Sequence, residues 1–504
     1  MKSANTDNNS QGEDIKVEKQ YKDILKYTGL FGGVQGLNML ASLVRNKLTA
    51  LILGTFGYGF ISIYNSAVTL LNNSTNFGIS FSSVKNLSQI NAENDTAKTI
   101  AYINTIRFWG ILASLFGMIV CFAIAGKLSQ ITFESDQYTG AFRALSIVVG
   151  LTTFSTVELS ILKALRRLAD VARVSMLTTI GSLIVVPIYY FAGVSGIVPA
   201  LIAISVMVTG ITLYYTSKIY GLNKEIFLKS NFKKGIPLFK LGTAFIIAGV
   251  FTSGAEYLIR TFIARSGSID DVGLYNAGYA VSVTYMGMIF KAMENDFFPK
   301  LSAIGNKLKE RNVYINNQIE IALWLISPMV ALLLLFMPVI LPLLYSGKFL
   351  PAQDMILWTT IFMFFKALVL PVSYLTLAKG DSRAFMLLEF ISAVIFVSAA
   401  VFLYKYYALM GLGLSLAISG IFDLLIIGVF ANRKYGFKYT LRTFKTAALL
   451  LPLLLIMVLL FYYERNIYTW LTGSVLTLII CSASLYYLNR RTSFINSIRT
   501  KFKI

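Results

Sequence analysis

Histidine is absent from this chain of 504 residues, and cysteine occurs only twice. Without histidine, the chain has no Ser-His-Asp triad, no histidine general base and no histidine-ligated metal. Cys121 and Cys481 each lie inside an apolar run, so the sequence contains neither a disulfide framework nor a CxxC motif. No GxxxxGK(S/T) loop is found either, which excludes the usual phosphate-binding motif for ATP. We therefore predict no cofactor and no metal site.

Charged residues are also scarce. They make up 14% of the chain, against about 25% in an average soluble protein, and 56% of the residues are hydrophobic. A soluble globule of this composition would have to expose long apolar runs. A helix needs about 20 apolar residues to cross a membrane, and this chain has room for many. The composition therefore predicts an all-α polytopic membrane protein.

Apolar runs separated by short polar breaks predict 14 membrane-crossing helices, called spans here. Their limits are 25–54, 58–84, 99–126, 140–162, 174–193, 196–217, 239–264, 272–293, 319–345, 355–378, 384–404, 409–432, 444–463 and 466–488.

The distribution of lysine and arginine predicts the orientation of these spans. Although the net charge is +21, the charge does not form a nucleic-acid-binding patch. With the amino terminus on the cytoplasmic side, inner segments hold 34 of the 45 Lys and Arg residues and outer segments hold 5. Cytoplasmic loops of membrane proteins carry this excess. Both termini are therefore predicted to be cytoplasmic, in a multi-pass protein.

An internal repeat divides the chain. The stretch LVRNKLTALILGTFGYGFISIYNSA (43–67) matches LIRTFIARSGSIDDVGLYNAG (258–278), with Arg45 opposite Arg260. The two copies begin six spans apart, and because six is even they have the same orientation. The repeat predicts two six-helix lobes related by a pseudo-twofold axis along the membrane normal. The predicted segments are a polar tail 1–24, an N-lobe 25–217, a basic cytoplasmic linker 218–238, a C-lobe 239–432, two extra spans 433–489 and a basic tail 490–504.

Three sequence motifs resemble those of a known family of membrane proteins. YLIRTFIARSGSIDDVGLYNAGY (257–279), AMENDFFPKLSAI (292–304) and GIVPALI (196–202) resemble the polysaccharide branch of the multidrug/oligosaccharidyl-lipid/polysaccharide exporter superfamily. The chain looks like a Wzx-type flippase for O-antigen or capsule repeat units. That resemblance implies two lobes around a central cavity and alternating access in a bacterial inner membrane.

The same resemblance implies a cargo and partners. The cargo would be an undecaprenyl-pyrophosphate-linked oligosaccharide, moved from the cytoplasmic to the periplasmic leaflet. Membrane lipids and the polymerase or assembly proteins of the same glycan would be its partners, and no nucleic acid would be involved.

Basic residues inside spans are candidate cargo ligands, because an ionisable group there is costly and often functional. A guanidinium binds phosphate oxygens through two parallel hydrogen bonds, so Arg45 and Arg260 suit a pyrophosphate. Glu256, four residues before Arg260, offers the alternative of a helical ion pair. Lys366 either faces the cavity or neutralises an acid on a neighbouring helix. Arg107 either contacts the cargo or reaches the inner headgroups.

Acidic residues inside spans are candidates for ion coupling. Asp423, Glu389 and Glu256 could bind H⁺ or Na⁺ and link transport to an ion gradient. The structural alternative is a salt bridge, for instance between Asp423 and Lys366. Glu158 is interpreted as an interfacial residue near Lys163.

Three functions are weighed. The leading hypothesis is the lipid-linked oligosaccharide flippase, because basic residues are spread over both predicted lobes. The alternative is a cation-coupled multidrug or metabolite antiporter on the same scaffold, which would favour acidic cavity walls. A membrane enzyme of glycan assembly is opposed by the absence of a large outer loop that could carry catalytic carboxylates. We therefore predict a transporter and not an enzyme.

Overall fold

The chain folds into long helices. The computed structural model describes residues 7–305 and 307–492, and among these residues no strand is present. The predicted tail 490–504 therefore lies mostly outside the described residues. The helices are α1 (Asp7–Thr75), α2 (Ile79–Ala92), α3 (Thr96–Phe133), α4 (Thr139–Ala164), α5 (Leu168–Gly181), α6 (Val185–Ala192), α7 (Ile197–Ser217), α8 (Lys229–Ser266), α9 (Ile269–Tyr279), α10 (Met288–Ile304), α11 (Leu308–Leu344), α12 (Gln353–Ala378), α13 (Ser382–Tyr435), α14 (Leu441–Tyr463) and α15 (Ile467–Thr492).

All 14 predicted spans fall on these helices. Ten segments of the described chain have the length and hydropathy to cross a membrane. That number is smaller than 14 because three of the segments, in α1, in α5–α7 and in α13, each contain two predicted spans. The eighth predicted span, 272–293, is not among the ten, because a π-helical segment, Ala280–Tyr285, interrupts it between α9 and α10. The prediction of an all-α polytopic membrane protein is confirmed.

Two of the longest helices contain a kink and are not continuous. In α1 the bend is at Gly54, whose φ of 66° is readily adopted only by glycine. In α13 the bend is at Ala408, with a φ of 46°. A positive φ is unfavourable for a residue with a Cβ, so packing of the two halves of α13 must stabilise this one-residue turn.

Helix starts are fixed by side-chain caps where the chain turns. Ser268 accepts a hydrogen bond from the Asp271 backbone N–H at 3.0 Å and begins α9. Asp381 accepts one from Ala384 at 3.2 Å and begins α13. Thr440 accepts one from Thr443 at 3.2 Å and begins α14. Each cap satisfies a backbone donor that would otherwise lack a partner.

The described residues form two compact units. Unit 1 contains the residues up to Ile52, Leu71–Ala125 and Thr139–Thr243; unit 2 contains Leu53–Leu70, Gly126–Tyr138 and the residues from Ala244 onwards. The boundary at 243 falls inside α8, close to the start of the predicted C-lobe. Two short segments of the predicted N-lobe, 53–70 and 126–138, belong to unit 2.

Each unit has its own apolar core. In unit 1, fully buried residues of α2, α3 and α4 pack together, including Leu87, Ile106 and Val157. In unit 2, the core combines Ile63 with buried residues of α8, α9, α12 and α13, including Tyr275 and Leu412. The charged residues described next lie in these two units.

Candidate functional site

A polar cavity lies within unit 2. It has a volume of about 240 Å³ and is lined by α8, α12 and both halves of α13. The apolar side chains of Phe362 and Leu416 contribute to its walls. Four charged residues line it: Glu256, Lys366, Glu389 and Asp423. Three carboxylates therefore share the cavity with one ammonium group.

Lys366 is the basic member of this group. Its Nζ lies 5.6 Å from the centre of the Phe362 ring, within the range of a cation–π contact. Within the described part of the chain, no carboxylate oxygen lies within 4.0 Å of Nζ. The Asp423–Lys366 salt bridge considered from the sequence is therefore not formed. The carboxylates of Glu389 and Asp423 act on Lys366 electrostatically through the cavity instead.

Two of the three carboxylates accept hydrogen bonds from hydroxyl groups. The Ser392 hydroxyl donates to Asp423 Oδ1, and the Thr252 hydroxyl donates to Glu389 Oε2 at 3.4 Å. Hydroxyl donors orient a carboxylate without neutralising its charge. Among the residues that the structure describes, no three acidic or cysteine side chains are grouped closely enough to hold a metal ion.

Arg260 lies in the same unit and is buried, with 6% of its surface exposed. Nη1 is 3.3 Å from Glu256 Oε2, and Nε donates to the Ser62 hydroxyl at 2.8 Å. Nη2 donates to Asn276 Oδ1 at 3.4 Å, and the guanidinium lies over the Tyr275 ring. The ion pair that the i, i+4 spacing offered is present, so Arg260 has most of its donors occupied by protein.

Arg45, the repeat counterpart of Arg260, has a different environment in unit 1. It is half-buried, and its Nη1 donates to the Ser182 hydroxyl at 3.1 Å. Nη2 is 3.5 Å from Asn46 Oδ1, at the limit of a hydrogen bond. No carboxylate of the described residues lies within 4.0 Å of its guanidinium. Arg45 therefore keeps an uncompensated positive charge.

Arg107 is placed differently from the prediction. Its side chain is 1% exposed and forms an ion pair with Glu158, which is fully buried, at 2.9 Å. A second bond joins Nη2 to Glu158 Oε2 at 3.3 Å. The remaining Nη1 donates to the carbonyls of Tyr220 and Gly221. Glu158 is thus enclosed by protein rather than exposed, and the donors of Arg107 are occupied by Glu158 and by the carbonyls that follow α7.

The segment that follows α7 is attached to unit 1 through further side chains of α3. Thr105 donates to Asn231 Oδ1 at 3.1 Å, and Trp109 donates to the Asn231 carbonyl at 3.1 Å. Asn104 donates to Glu225 at 3.2 Å. Much of the predicted linker 218–238 is therefore bound to this unit. The sequence carried no signal for these contacts, because the partners are more than 100 residues apart.

The segments 53–70 and 126–138 make close polar contacts within unit 2. The Thr55 hydroxyl donates to Asp270, and Arg265 Nε donates to Glu134 Oε1 at 2.8 Å. At Gly59, a Cβ would lie 2.0 Å from the Ile269 carbonyl oxygen, so only glycine fits there. These contacts are at helix ends predicted to face outward.

Long apolar helices around a cavity that contains buried charged side chains are characteristic of polytopic membrane transport proteins. Residues 48–354 match the family model described as "Polysaccharide biosynthesis protein". Because this match covers more than half of the chain, the protein belongs to that family.

Individual relatives support the same grouping. The chain is similar to the lipid III flippase of Escherichia coli (strain K12), with 24% identity over 365 residues that cover 69% of this chain and 84% of that protein. Its fold is similar to that of the lipid II flippase MurJ in an inward closed conformation, with a TM-score of 0.66, 15% identity and coverage of 92% and 99%. It is also similar to an inward-facing multidrug resistance MATE transporter of the MOP superfamily, with a TM-score of 0.61, 14% identity and coverage of 80% and 94%.

These findings confirm the resemblance recognised from the sequence motifs at the level of the family. The cargo roles of Arg45, Arg260, Lys366 and Arg107 and the coupling roles of the three acids stay predictions. The sequence does not predict five polar partners of these residues: Ser62, Ser182, Thr252, Asn276 and Ser392. Ser62 and Asn276 both stand in the internal repeat, within 43–67 and 258–278, whereas the other partners stand in no motif.

Proposed function

We propose that this protein is a flippase that moves an undecaprenyl-pyrophosphate-linked oligosaccharide from the cytoplasmic to the periplasmic leaflet of a bacterial inner membrane. Membership of the polysaccharide biosynthesis family and similarity to a lipid III flippase support this proposal. These relatives are named as transport proteins, which agrees with the prediction that the chain is not an enzyme.

The observation that carries the proposal is the uncompensated guanidinium of Arg45. A positive charge inside a span is costly unless it faces water or an anion. Its hydrogen-bond partners are neutral, and of these only the contact with Ser182 is short. A pyrophosphate would supply both the missing charge and the acceptors, and a guanidinium binds it through two parallel hydrogen bonds.

Transport would proceed by alternating access. The contacts of Thr55, Gly59 and Glu134 within unit 2 would hold the outer helix ends closed while cargo enters from the cytoplasmic side. Opening them would require breaking the Arg265–Glu134 ion pair and the Thr55–Asp270 hydrogen bond. Arg260 would then act in positioning, through Glu256 and Ser62, more than in direct contact with the cargo.

The three carboxylates of the cavity support coupling to a cation gradient. Glu256 is paired with Arg260. The two remaining carboxylates, of Glu389 and Asp423, exceed the single ammonium of Lys366, so the cavity has a net negative formal charge that would attract H⁺ or Na⁺. Binding of such an ion at Asp423 or Glu389 would change the charge balance of unit 2. Lys366 would compete with the ion for the same carboxylates.

The same acidic cavity favours a second candidate, a cation-coupled multidrug or metabolite antiporter. Cationic drugs suit acidic walls, and the fold is shared with a MATE transporter. The two candidates differ in their cargo, so deletion of the gene separates them. A complete repeat unit that accumulates on its lipid carrier supports the flippase. Normal surface glycan with altered sensitivity to cationic drugs supports the antiporter.

Complementation of the deletion strain tests the role of Arg45. We expect Arg45→Ala to restore little surface glycan while the protein level in the membrane stays near normal. The matched control is Arg143→Ala, which removes an exposed span arginine of the same unit that lies over the Phe122 ring. Full complementation by Arg45→Ala would contradict a basic cargo site.

A further inference from the structure

A second, larger cavity lies on the other side of the same helices. It has a volume of about 740 Å³ and is lined by α12, the second half of α13, the loop that follows it and the first half of α14. We call it the lateral groove. Phe365, Leu368, Leu425, Phe444 and Leu451 contribute to its walls, which are mostly apolar.

The lateral groove is separate from the charged cavity of unit 2. On α12, Phe362, Lys366 and Val369 face the charged cavity, whereas Phe365 and Leu368 face the groove. Phe362, Lys366 and Val369 recur at helical spacing and share one face of α12, and Phe365 and Leu368 extend onto the adjacent face. The same division holds on α13, where Gly420 and Asp423 face the cavity and Leu425 and Gly428 face the groove. An occupant of the groove is therefore not on the way into the charged cavity.

Two cations line one end of the lateral groove. Arg433 is in the last turn of α13 and Lys438 is in the following loop, and both are exposed. Within the described residues, neither has a carboxylate within 4.0 Å. The neighbouring Lys434, by contrast, is paired with Asp381. The two groove cations thus remain available for an external anion.

The loop that carries Lys438 is held in place by α11. Asn316 Nδ2 donates to the Lys438 carbonyl at 2.9 Å, and Asn312 Nδ2 donates to the Gly436 carbonyl at 3.1 Å. Gly436 has a φ of 69°, a left-handed conformation that closes the end of α13. The position of the second cation relative to the apolar walls is therefore built into the fold.

We propose that the lateral groove binds one anionic glycerophospholipid as a resident lipid. Its acyl chains would lie against the apolar walls, and its phosphate would lie between Arg433 and Lys438. Apolar surface between membrane helices is favourably covered by acyl chains, and basic pockets at the cytoplasmic end of spans bind anionic headgroups. A guanidinium and an ammonium together match a phosphodiester.

The purified full-length protein tests this directly. We would incubate it with phosphatidylglycerol and phosphatidylcholine of identical acyl chains and count the bound lipids by native mass spectrometry. Two surface cations attract an anionic headgroup strongly enough that we expect a preference for phosphatidylglycerol of about tenfold. The variant Arg433→Gln/Lys438→Gln should lose this preference.

A matched variant controls for net charge. Lys163→Gln/Lys218→Gln removes two exposed cations from unit 1 and should keep the preference. Gly428→Leu fills the groove while its cations remain, because a Cβ there meets only the Tyr439 side chain, at 3.5 Å or more. It should reduce the binding of both lipids.

Three results would overturn the proposal. One is equal binding of the two lipids by the unchanged protein. Another is a preference for phosphatidylglycerol that survives in Arg433→Gln/Lys438→Gln. The third is displacement of phosphatidylglycerol by undecaprenyl phosphate at equal concentration, which would make the groove a site for the polyprenyl carrier.

Discussion

Arg107 in unit 1 and Lys366 in unit 2 are both cations inside spans, yet they meet acidic residues in different ways. Arg107 is joined to Glu158 by two bonds at 2.9 and 3.3 Å, and its last donors are taken by backbone carbonyls. Lys366 faces a cavity with three carboxylates and touches none of them within 4.0 Å. The first arrangement is complete without a ligand, whereas the second leaves charges for which an ion can compete.

This difference separates two uses of membrane-buried charge. A fully satisfied pair fixes helices and a neighbouring segment in one arrangement. A cavity with unequal numbers of acids and bases changes its net charge when one proton or cation binds. The comparison therefore assigns structure to the Arg107–Glu158 pair and exchange to the charges that line the cavity of unit 2. Three predictions test that assignment, and a fourth concerns a charge outside the spans.

The largest effect is expected from Glu158→Gln. Removing one partner of a buried pair leaves an uncompensated charge, and we expect a loss of about 3–5 kcal/mol in the free energy of unfolding. Denaturant unfolding of the purified protein measures it. The double variant Arg107→Met/Glu158→Leu should recover most of the loss, since both charges are gone. A stable Glu158→Gln protein would mean that the pair does not fix unit 1.

The next effect is on transport. Asp423→Asn should lower cation-driven transport by roughly tenfold, in the usual range of coupling between sites, while stability changes little because Ser392 can also donate to an amide oxygen. Reconstituted vesicles with an imposed H⁺ or Na⁺ gradient measure it. Asp354→Asn, which breaks the exposed ion pair with Arg465, is the control. An unchanged rate in Asp423→Asn would remove this residue from coupling.

Lys366→Met sharpens the comparison with Arg107. No ion pair is broken, so we expect unfolding to be nearly unchanged. The transport rate should reach half of its maximum at a lower concentration of the driving cation, because the ammonium that competes for Glu389 and Asp423 is gone. The dependence of the rate on cation concentration is the readout, with Lys366→Arg as the charge-preserving control. A collapse of stability like that of Glu158→Gln would erase the distinction between the two units.

The smallest effect is expected at Asp381, outside the spans. Hydrogen bonds from Lys434 and Tyr435 lower the pKa of its carboxyl group below the ordinary value. Its stabilisation is therefore present at neutral pH and is lost as the pH falls through the lowered pKa. Asp381→Asn keeps a cap for α13 but loses the ion pair with Lys434. We therefore expect its free energy of unfolding to be lower by about 0.5–1 kcal/mol at neutral pH. Denaturant unfolding of both proteins at neutral and at acidic pH measures this difference in stability, which should become smaller at acidic pH. A difference that stays the same at both pH values would contradict the prediction.

The helices and their breaks could be predicted because they depend on local patterns. The apolar runs all fall on helical segments of the structure, and the kinks at Gly54 and Ala408 lie at or beside the gaps predicted between them. The Arg260–Glu256 pair was also foreseeable, since its partners are one helical turn apart.

Contacts between distant segments could not be predicted. Nothing in a single sequence joins Arg107 to Glu158, 51 residues later. The sequence therefore leaves Arg107 as a contact of the cargo or of the inner headgroups, and Glu158 as an interfacial residue. The close approach at Gly59 and the attachment of Asn231 to α3 depend on the packed structure in the same way. The sequence could identify which residues are charged inside spans, but not which of them are neutralised.

The bonds of Arg107 also set an order of events during synthesis. Arg107 is made 51 residues before Glu158 and 113 residues before Tyr220. Until the fourth span emerges, the third span carries an unmatched guanidinium, which costs about 2.5–3.5 kcal/mol on insertion scales at a helix centre. Its long apolar sequence offsets this cost. A nascent chain that stops before Glu158 therefore has no ion-pair partner for Arg107 and depends on the apolar residues of α3 to stay in the membrane. Once the chain extends past Gly221, all of these bonds can form before the residues from Ala244 onwards are made.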